Sequence, residues 1–111
     1  MDVGIESLNN CELILTNGRI DSYTAPQLSD TLHHVTDQNK YKIILELSNV
    51  SFISSAGLRV MIDIQKICKR DNRGEVILVN IPPRVYETFE VAGFVPLFKF
   101  FDNATSALTA F

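Results

Sequence analysis

The chain is short of the groups that would tie it to catalysis, a metal or a membrane. Its two cysteines, Cys11 and Cys68, stand far apart, without the close pairing of zinc ligands or the density of a disulfide scaffold. Cys68 falls on the apolar side of a helical pattern and Cys11 at the start of a strand pattern, so both read as buried free thiols. The only histidines, His33 and His34, are neighbours. They point in different directions from a helix and lack the i, i+4 spacing of a paired metal site, so both read as solvated. No metal site is expected. The opening MDVGIESLNN has neither a basic segment nor an apolar signal core. No apolar run approaches the ~20 residues of a membrane span. A cytoplasmic protein with no membrane partner is expected.

Other absences narrow the function. The G-x-S-x-G elbow of serine hydrolases is missing, and so are the phosphate-cradling loops GxxxxGK[ST] and GxGxxG. Neither an enzyme nor a cofactor is expected. There is no basic excess: the net charge is −3 and the pI about 5.2. Direct nucleic-acid binding, which needs cations to displace counterions, is therefore not expected.

What is present is an ordinary globular composition, 46% hydrophobic over 111 residues, enough for one compact domain spanning residues 1–111. Val3–Leu8 and Cys11–Thr16 read as strands joined by an Asn9-Asn10 turn. Asn17-Gly18 interrupts the second run, and Arg19-Ile20-Asp21 continues it in extended form. Thr24 and Gln27 have the spacing of a capping box, and Pro26 fits the first helical turn. Leu28, Leu32 and Val35 then share one face of a helix ending near Asp37. Ile43–Leu47 is nearly continuous apolar, as in a central strand covered on both faces.

Gly57–Arg70 reads as an amphipathic helix. Val60, Met61, Ile64, Ile67 and Cys68 lie on its inner face, and Arg59, Asp63, Lys66 and Arg70 form a polar stripe. Glu75–Val79 is a further buried strand. A helix opened by Pro83 runs to about Val91, with Val85 and Phe89 inward and Gly93 as its stop. Val95–Phe101 carries a last strand. Asp102 or Asn103 caps a terminal helix through Leu108, after which Phe111 docks or frays. The alternation predicts an α/β fold: a mixed, mostly parallel sheet of about four to five strands with about four helices packed on it.

Two stretches stand out as candidate sites. In Ser51–Val60, SFISSAGLRV, a strand hands over to a helix at Ser54-Ser55-Ala56-Gly57. A serine there is ordinarily a helix cap. The same position offers a hydroxyl to the positive end of a helix dipole, where a phosphate dianion is well accommodated, and Gly57 would let another molecule approach the backbone. The second stretch is Asp21-Ser22-Tyr23-Thr24-Ala25. Asp21 there either makes an Asx-turn or faces the serine junction across the end of the sheet.

Three segments in order resemble the STAS domain family of anti-sigma factor antagonists and sulfate-transporter domains. Gly18–Leu28, GRIDSYTAPQL, is similar to the family's G-x-x-D-x-x-T-A-x-x-L segment. Leu47–Val60 resembles its phosphorylatable strand–loop–helix. Val79–Phe98 resembles its strand, proline-opened helix and glycine stop. Against the family's D-S-[ST]-G-L loop, Ser55 matches the acceptor serine, Gly57 and Leu58 the G-L, and Asp21 the earlier aspartate. The chain departs from the pattern at Ser54, where the family often has Asp, and at Ala56. Ser54 is a second possible acceptor.

The resemblance implies a non-enzymatic partner switch. The unmodified domain binds an anti-sigma factor that is itself a serine kinase with a GHKL-type ATP site, and sigma factor is released. Phosphorylation of Ser55 reverses this, and a serine phosphatase restores it. The partner surface would comprise Asp21, Ser22, Thr24, Ser54, Ala56, Gly57, Arg59 and Asp63, on a monomer or weak dimer. The alternative is a STAS partner or scaffold protein in another bacterial signalling or secretion switch that does not act on a sigma factor.

Overall fold

A computed structural model describes residues 1–111. Strands β1 (Asp2–Ser7), β2 (Glu12–Ile20), β3 (Lys42–Ile53), β4 (Glu75–Val79) and β5 (Lys99–Phe101) form one sheet in that spatial order. β1 runs antiparallel to β2, and the other neighbours are parallel. The Leu8–Cys11 turn between β1 and β2 is closed by the Leu8 amide on the Cys11 carbonyl at 2.9 Å. Helices α1 (Ala25–Thr36), α2 (Ser55–Lys69) and α3 (Pro83–Ala92) make the parallel crossovers, and α4 (Ala104–Leu108) follows the last strand. The expected mixed α/β architecture is the one found.

The two faces of the sheet are buried unequally. Ile14, Ile43, Leu45, Leu47, Val76 and Leu78 meet Leu28 and Leu32 of α1, Met61 and Ile64 of α2, and Phe89 of α3 in the main core. On the other face Ile44, Ile77 and Val79 meet Ala107 of α4, with Cys11 beside them and Phe111 packed onto the cluster. The terminal phenylalanine therefore docks. Period-two alternation in β3 and β4 sends successive apolar residues to opposite cores. That is why these strands read as unbroken hydrophobic runs. Both cysteines are buried free thiols.

Six details differ from the sequence-based expectation. β3 extends to Ile53 instead of ending at Leu47, and β2 continues through Asn17-Gly18. Register shifts between Leu15 and Asn17 and between Gly18 and Arg19 each set an extra β3 residue against β2, with Gly18 at φ +102°. These bulges space the buried residues Leu47, Val50 and Ile53 three apart, so no strand period is visible. The last strand shrinks to Lys99–Phe101 because Val95–Leu97 forms a 3-10 turn, to which the fixed φ of Pro96 is suited.

The Thr24–Gln27 capping box does not form. Thr24 instead turns its hydroxyl back into the preceding loop, accepting from the Asp21 amide and donating to the Arg19 carbonyl, each at 2.8 Å. α2 begins at Ser55, two residues before Gly57. On its inner face Val60 and Ile67 are half-buried, whereas Leu58 and Gln65 join Met61, Ile64 and Cys68 in full burial.

Candidate functional site

The site is built where β2 and β3 end side by side. The Ser54 amide donates to the Ile20 carbonyl at 2.8 Å. This bond ties the residue that caps α2 to the residue before Asp21, so the two candidate stretches meet at the same end of the sheet. Ser54 is extended (φ −92°, ψ 174°) and its side chain accepts from the Gly57 amide at 3.4 Å. It is the N-cap, and its hydroxyl oxygen is occupied by the helix it starts. Ser55 follows as the first helical residue and is exposed, with no hydrogen bond from its hydroxyl to another protein group. Cap geometry thus gives the two adjacent serines different surroundings.

Gly57 is buried. A Cβ there would meet Ile20 Cγ2 at 2.6 Å and Ile53 Cγ1 at 2.9 Å. The glycine lets the first turn of α2 sit directly on the ends of β2 and β3. Its reason is internal packing, and the expectation that it opens the backbone to a visiting molecule is corrected. Ala56 is half-buried.

The Asp21 loop adopts the Asx-turn. Asp21 Oδ1 accepts from the Tyr23 amide at 2.9 Å and the Thr24 amide at 3.1 Å, and Oδ2 lies 3.6 Å from Arg19 Nε. Desolvation pushes the carboxyl up, but the Tyr23 and Thr24 amides, the Thr24 hydroxyl and Arg19 together outweigh it and hold it below the usual carboxylate range. Asp21 is therefore a fixed anion at this end of the sheet. Arg19 also lies over the ring of Phe52, 4.4 Å from its centroid, so the loop is braced against the end of β3.

Tyr23, within the second candidate stretch but outside the expected partner surface, sits on this loop at 91% exposure; a turn residue has no periodicity to betray its direction. A ring this exposed contributes nothing to the core. Ser22 is exposed, and Thr24 is half-buried with its hydroxyl committed to the turn.

Two grooves flank the exposed side of α2, and Ser55 lines both. One, of about 540 Å³, lies against α1 and is bounded by Ser22, Pro26 and Ser29. The other, of about 470 Å³, is walled by Leu58 and Ile62 on one side and by Phe94 and Leu97 on the other. Arg59 and Asp63 line both grooves. Of the expected polar stripe, Arg59, Asp63 and Lys66 are exposed on α2; Arg70 is exposed just beyond its end, because α2 stops at Lys69 and Arg70 (φ −58°, ψ 132°) leaves the helical conformation.

The wall at Leu97 is held by a residue the sequence reading passed over. Gln65 is buried; its Oε1 accepts from the Val76 amide at 2.6 Å, and its Nε2 donates to the carbonyls of Val76 at 3.1 Å and Leu97 at 2.9 Å. Its position, four residues after Met61 and three before Cys68, is a core position by helical spacing. That spacing was the available signal.

The histidines take no part. His33 Nδ1 lies 2.8 Å from the Ser29 carbonyl, and His34 Nε2 lies 2.9 Å from the side-chain amide of Gln38. Neither is hydrogen-bonded to a serine of the junction, so the geometry of an activated serine nucleophile is not assembled. No three His, Cys, Asp or Glu side chains group to hold a metal ion, and no helix is long and apolar enough to cross a membrane.

A family model described as the STAS domain matches residues 4–107. The chain belongs to the STAS domain family. Among its STAS relatives, a Bordetella bronchiseptica protein named as an anti-sigma factor antagonist, BtrV, is 31% identical over 111 residues, covering all of this chain and 95% of BtrV. The anti-sigma-B factor antagonist of Listeria monocytogenes is 30% identical over 80 residues, covering 72% of this chain and 69% of its own. The fold of this STAS domain is similar to that of the anti-sigma factor antagonist SpoIIAA. The unphosphorylated form of SpoIIAA superposes with a TM-score of 0.82 at 19% identity, over 98% of this chain and 95% of SpoIIAA. A phosphorylated form of Bacillus SpoIIAA superposes with a TM-score of 0.74 at 18% identity, over 98% of each chain.

Proposed function

We propose that this STAS protein is an anti-sigma factor antagonist, a regulator and not an enzyme, whose switch is phosphorylation of Ser55. The unmodified chain binds an anti-sigma factor serine kinase with a GHKL-type ATP site and so frees sigma factor. The kinase phosphorylates Ser55 and lets the chain go, and a serine phosphatase resets it. The observation that carries the proposal is the division of labour at the α2 start: Ser54 Oγ is the cap acceptor, while Ser55 stands exposed on the first helical turn. The relatives named as anti-sigma factor antagonists support the role. The existence of a phosphorylated form of SpoIIAA supports the modification as one that a chain of this fold can carry.

The chemistry follows from charge. A phosphate on Ser55 adds about −1.5 to −2 charges near neutral pH. The amides of the first α2 turn and the helix dipole accommodate it, so the domain itself is little disturbed. The penalty falls on the docked partner, which faces a new dianion across a desolvated surface, a cost of several kcal/mol. That is enough to dissolve a micromolar complex. The surface that meets the kinase comprises Asp21, Ser22, Tyr23 and Thr24 together with Ser54, Ser55, Ala56, Arg59 and Asp63.

Incubation with the cognate kinase and ATP, followed by intact-mass measurement, tests the assignment. One phosphate should be gained by the wild type and by Ser54→Ala, and none by Ser55→Ala. A phosphate retained in Ser55→Ala would move the switch to another hydroxyl. If the kinase neither binds nor modifies the chain, the role as an antagonist of that factor fails.

A further inference from the structure

Beyond the serine junction, the groove between α2 and the α3–β5 connection lacks an explanation within the fold. Its walls are apolar, from Leu58 and Ile62 on the helix to Phe94 and Leu97 opposite, and Leu97 is 42% exposed. Val91, just before this connection, is 83% exposed. The far wall is rigid, because Gln65 pins the Leu97 carbonyl and the Phe94 amide closes on the Phe89 carbonyl at 2.9 Å.

The rim differs in sign from the molecule as a whole. The charged side chains that line it are the cations Arg59 and Lys66 and the single carboxylate Asp63, all exposed on α2, in a chain of net charge −3. None of these residues makes an ion pair: the salt bridges of the molecule are Arg19–Asp21, Lys40–Glu12 and Lys99–Glu75. An apolar trough edged by unpaired cations is complementary to an amphipathic segment bearing carboxylates beside an aliphatic or aromatic side chain.

We infer that this groove receives an apolar side chain of the anti-sigma factor, flanked by carboxylates that pair with Arg59 and Lys66. The inference rests on the Ser55 switch proposed above and adds a reason for its polarity. Ser55 lies at the head of the groove and Arg59 one turn further along α2. A phosphate on Ser55 therefore claims the cation that the partner's carboxylates need, and repels those carboxylates as well. The same edge both recruits the partner and releases it.

Isothermal titration of the full chain against its cognate anti-sigma factor kinase, at low and high salt, distinguishes the cases. Leu97→Asp should weaken binding by about tenfold or more, as expected for a central apolar contact. Lys66→Glu should weaken it comparably at low salt, with the gap to wild type narrowing at high salt. Glu6→Lys, an exposed change on β1, should bind as wild type does. Leu97→Asp and Lys66→Glu both binding like wild type, with the Ser55-phosphorylated chain still rejected, would overturn the groove and leave the serine switch standing. A wild-type chain that does not bind the kinase would overturn both. If Leu97→Asp lacks a native melting transition, Lys66→Glu decides alone, because Lys66 is exposed and outside the core.

Discussion

The Ser54 amide hydrogen-bonds to the Ile20 carbonyl at 2.8 Å. Through this one contact the end of β2, and the Asp21 loop that follows it, are fixed against the start of α2. An anion held by its own turn and an unencumbered hydroxyl on a helix start therefore share one rigid edge. Changes at the edge separate into those that alter the frame and those that alter what the frame presents.

Gly57→Ala alters the frame. Its new methyl group would fall 2.6 Å from Ile20 Cγ2 and 2.9 Å from Ile53 Cγ1, inside a packed junction. We expect a loss of about 1–3 kcal/mol, the usual cost of overpacking, read as a lower urea midpoint with an unchanged slope. A stability equal to wild type would show that the junction has room to give.

Gln65→Leu removes three hydrogen bonds and leaves the Val76 amide and the carbonyls of Val76 and Leu97 without their partner. A destabilisation of about 1–3 kcal/mol is expected from the unsatisfied groups. Faster amide exchange should be confined to the start of β4 and the Val95–Leu97 turn. Uniform protection across these segments would contradict the bracing role.

Asp21→Asn keeps an oxygen for the Tyr23 and Thr24 amides but loses the negative charge beside Arg19. The wild-type carboxyl is held below its usual range, so its contribution is present above the ordinary carboxylate pKa and fades as pH falls through the lowered value. The variant should melt below wild type at neutral pH, and the two should converge in strong acid. A gap independent of pH would mean that the charge contributes nothing.

Burial pushes the Cys68 thiol up to about 12, against a smaller opposing pull from Arg73. The native state therefore keeps the proton that the unfolded chain sheds above the ordinary thiol pKa. This part of the stability is complete below that value and is lost as pH rises toward about 12. Cys68→Ala should lower stability at neutral pH through a small cavity, yet show a shallower decline between neutral and strongly alkaline pH. Rapid labelling of native Cys68 by a thiol reagent at neutral pH would contradict the burial.

The fold was readable where one period ran without interruption. The apolar faces of α1 and α3, the buried runs of β3 and β4, and the stop at Gly93 all followed from spacing. What escaped depended on contacts between elements. The second half of β3 was obscured because two bulges against β2 set its buried residues three apart. The Thr24 hydroxyl was expected to cap α1, and tertiary geometry instead directed it to Asp21 and Arg19. At the site, the serine pair and Asp21 were legible as residue types at a strand–helix handover. Which serine is occupied, and that Gly57 faces Ile20, required coordinates. The apolar groove was invisible because its walls come from α2 and from a connection about thirty residues further along, and no local pattern joins two such segments.

The most direct measurement is the affinity of the cognate anti-sigma factor kinase for two forms of this chain, unmodified and quantitatively phosphorylated on Ser55, at the same salt concentration. Phosphorylation should weaken the complex by about a hundredfold or more, equivalent to about 2.7 kcal/mol, while the melting temperature of the free domain hardly moves. Equal affinity of the two forms would contradict the switch at Ser55.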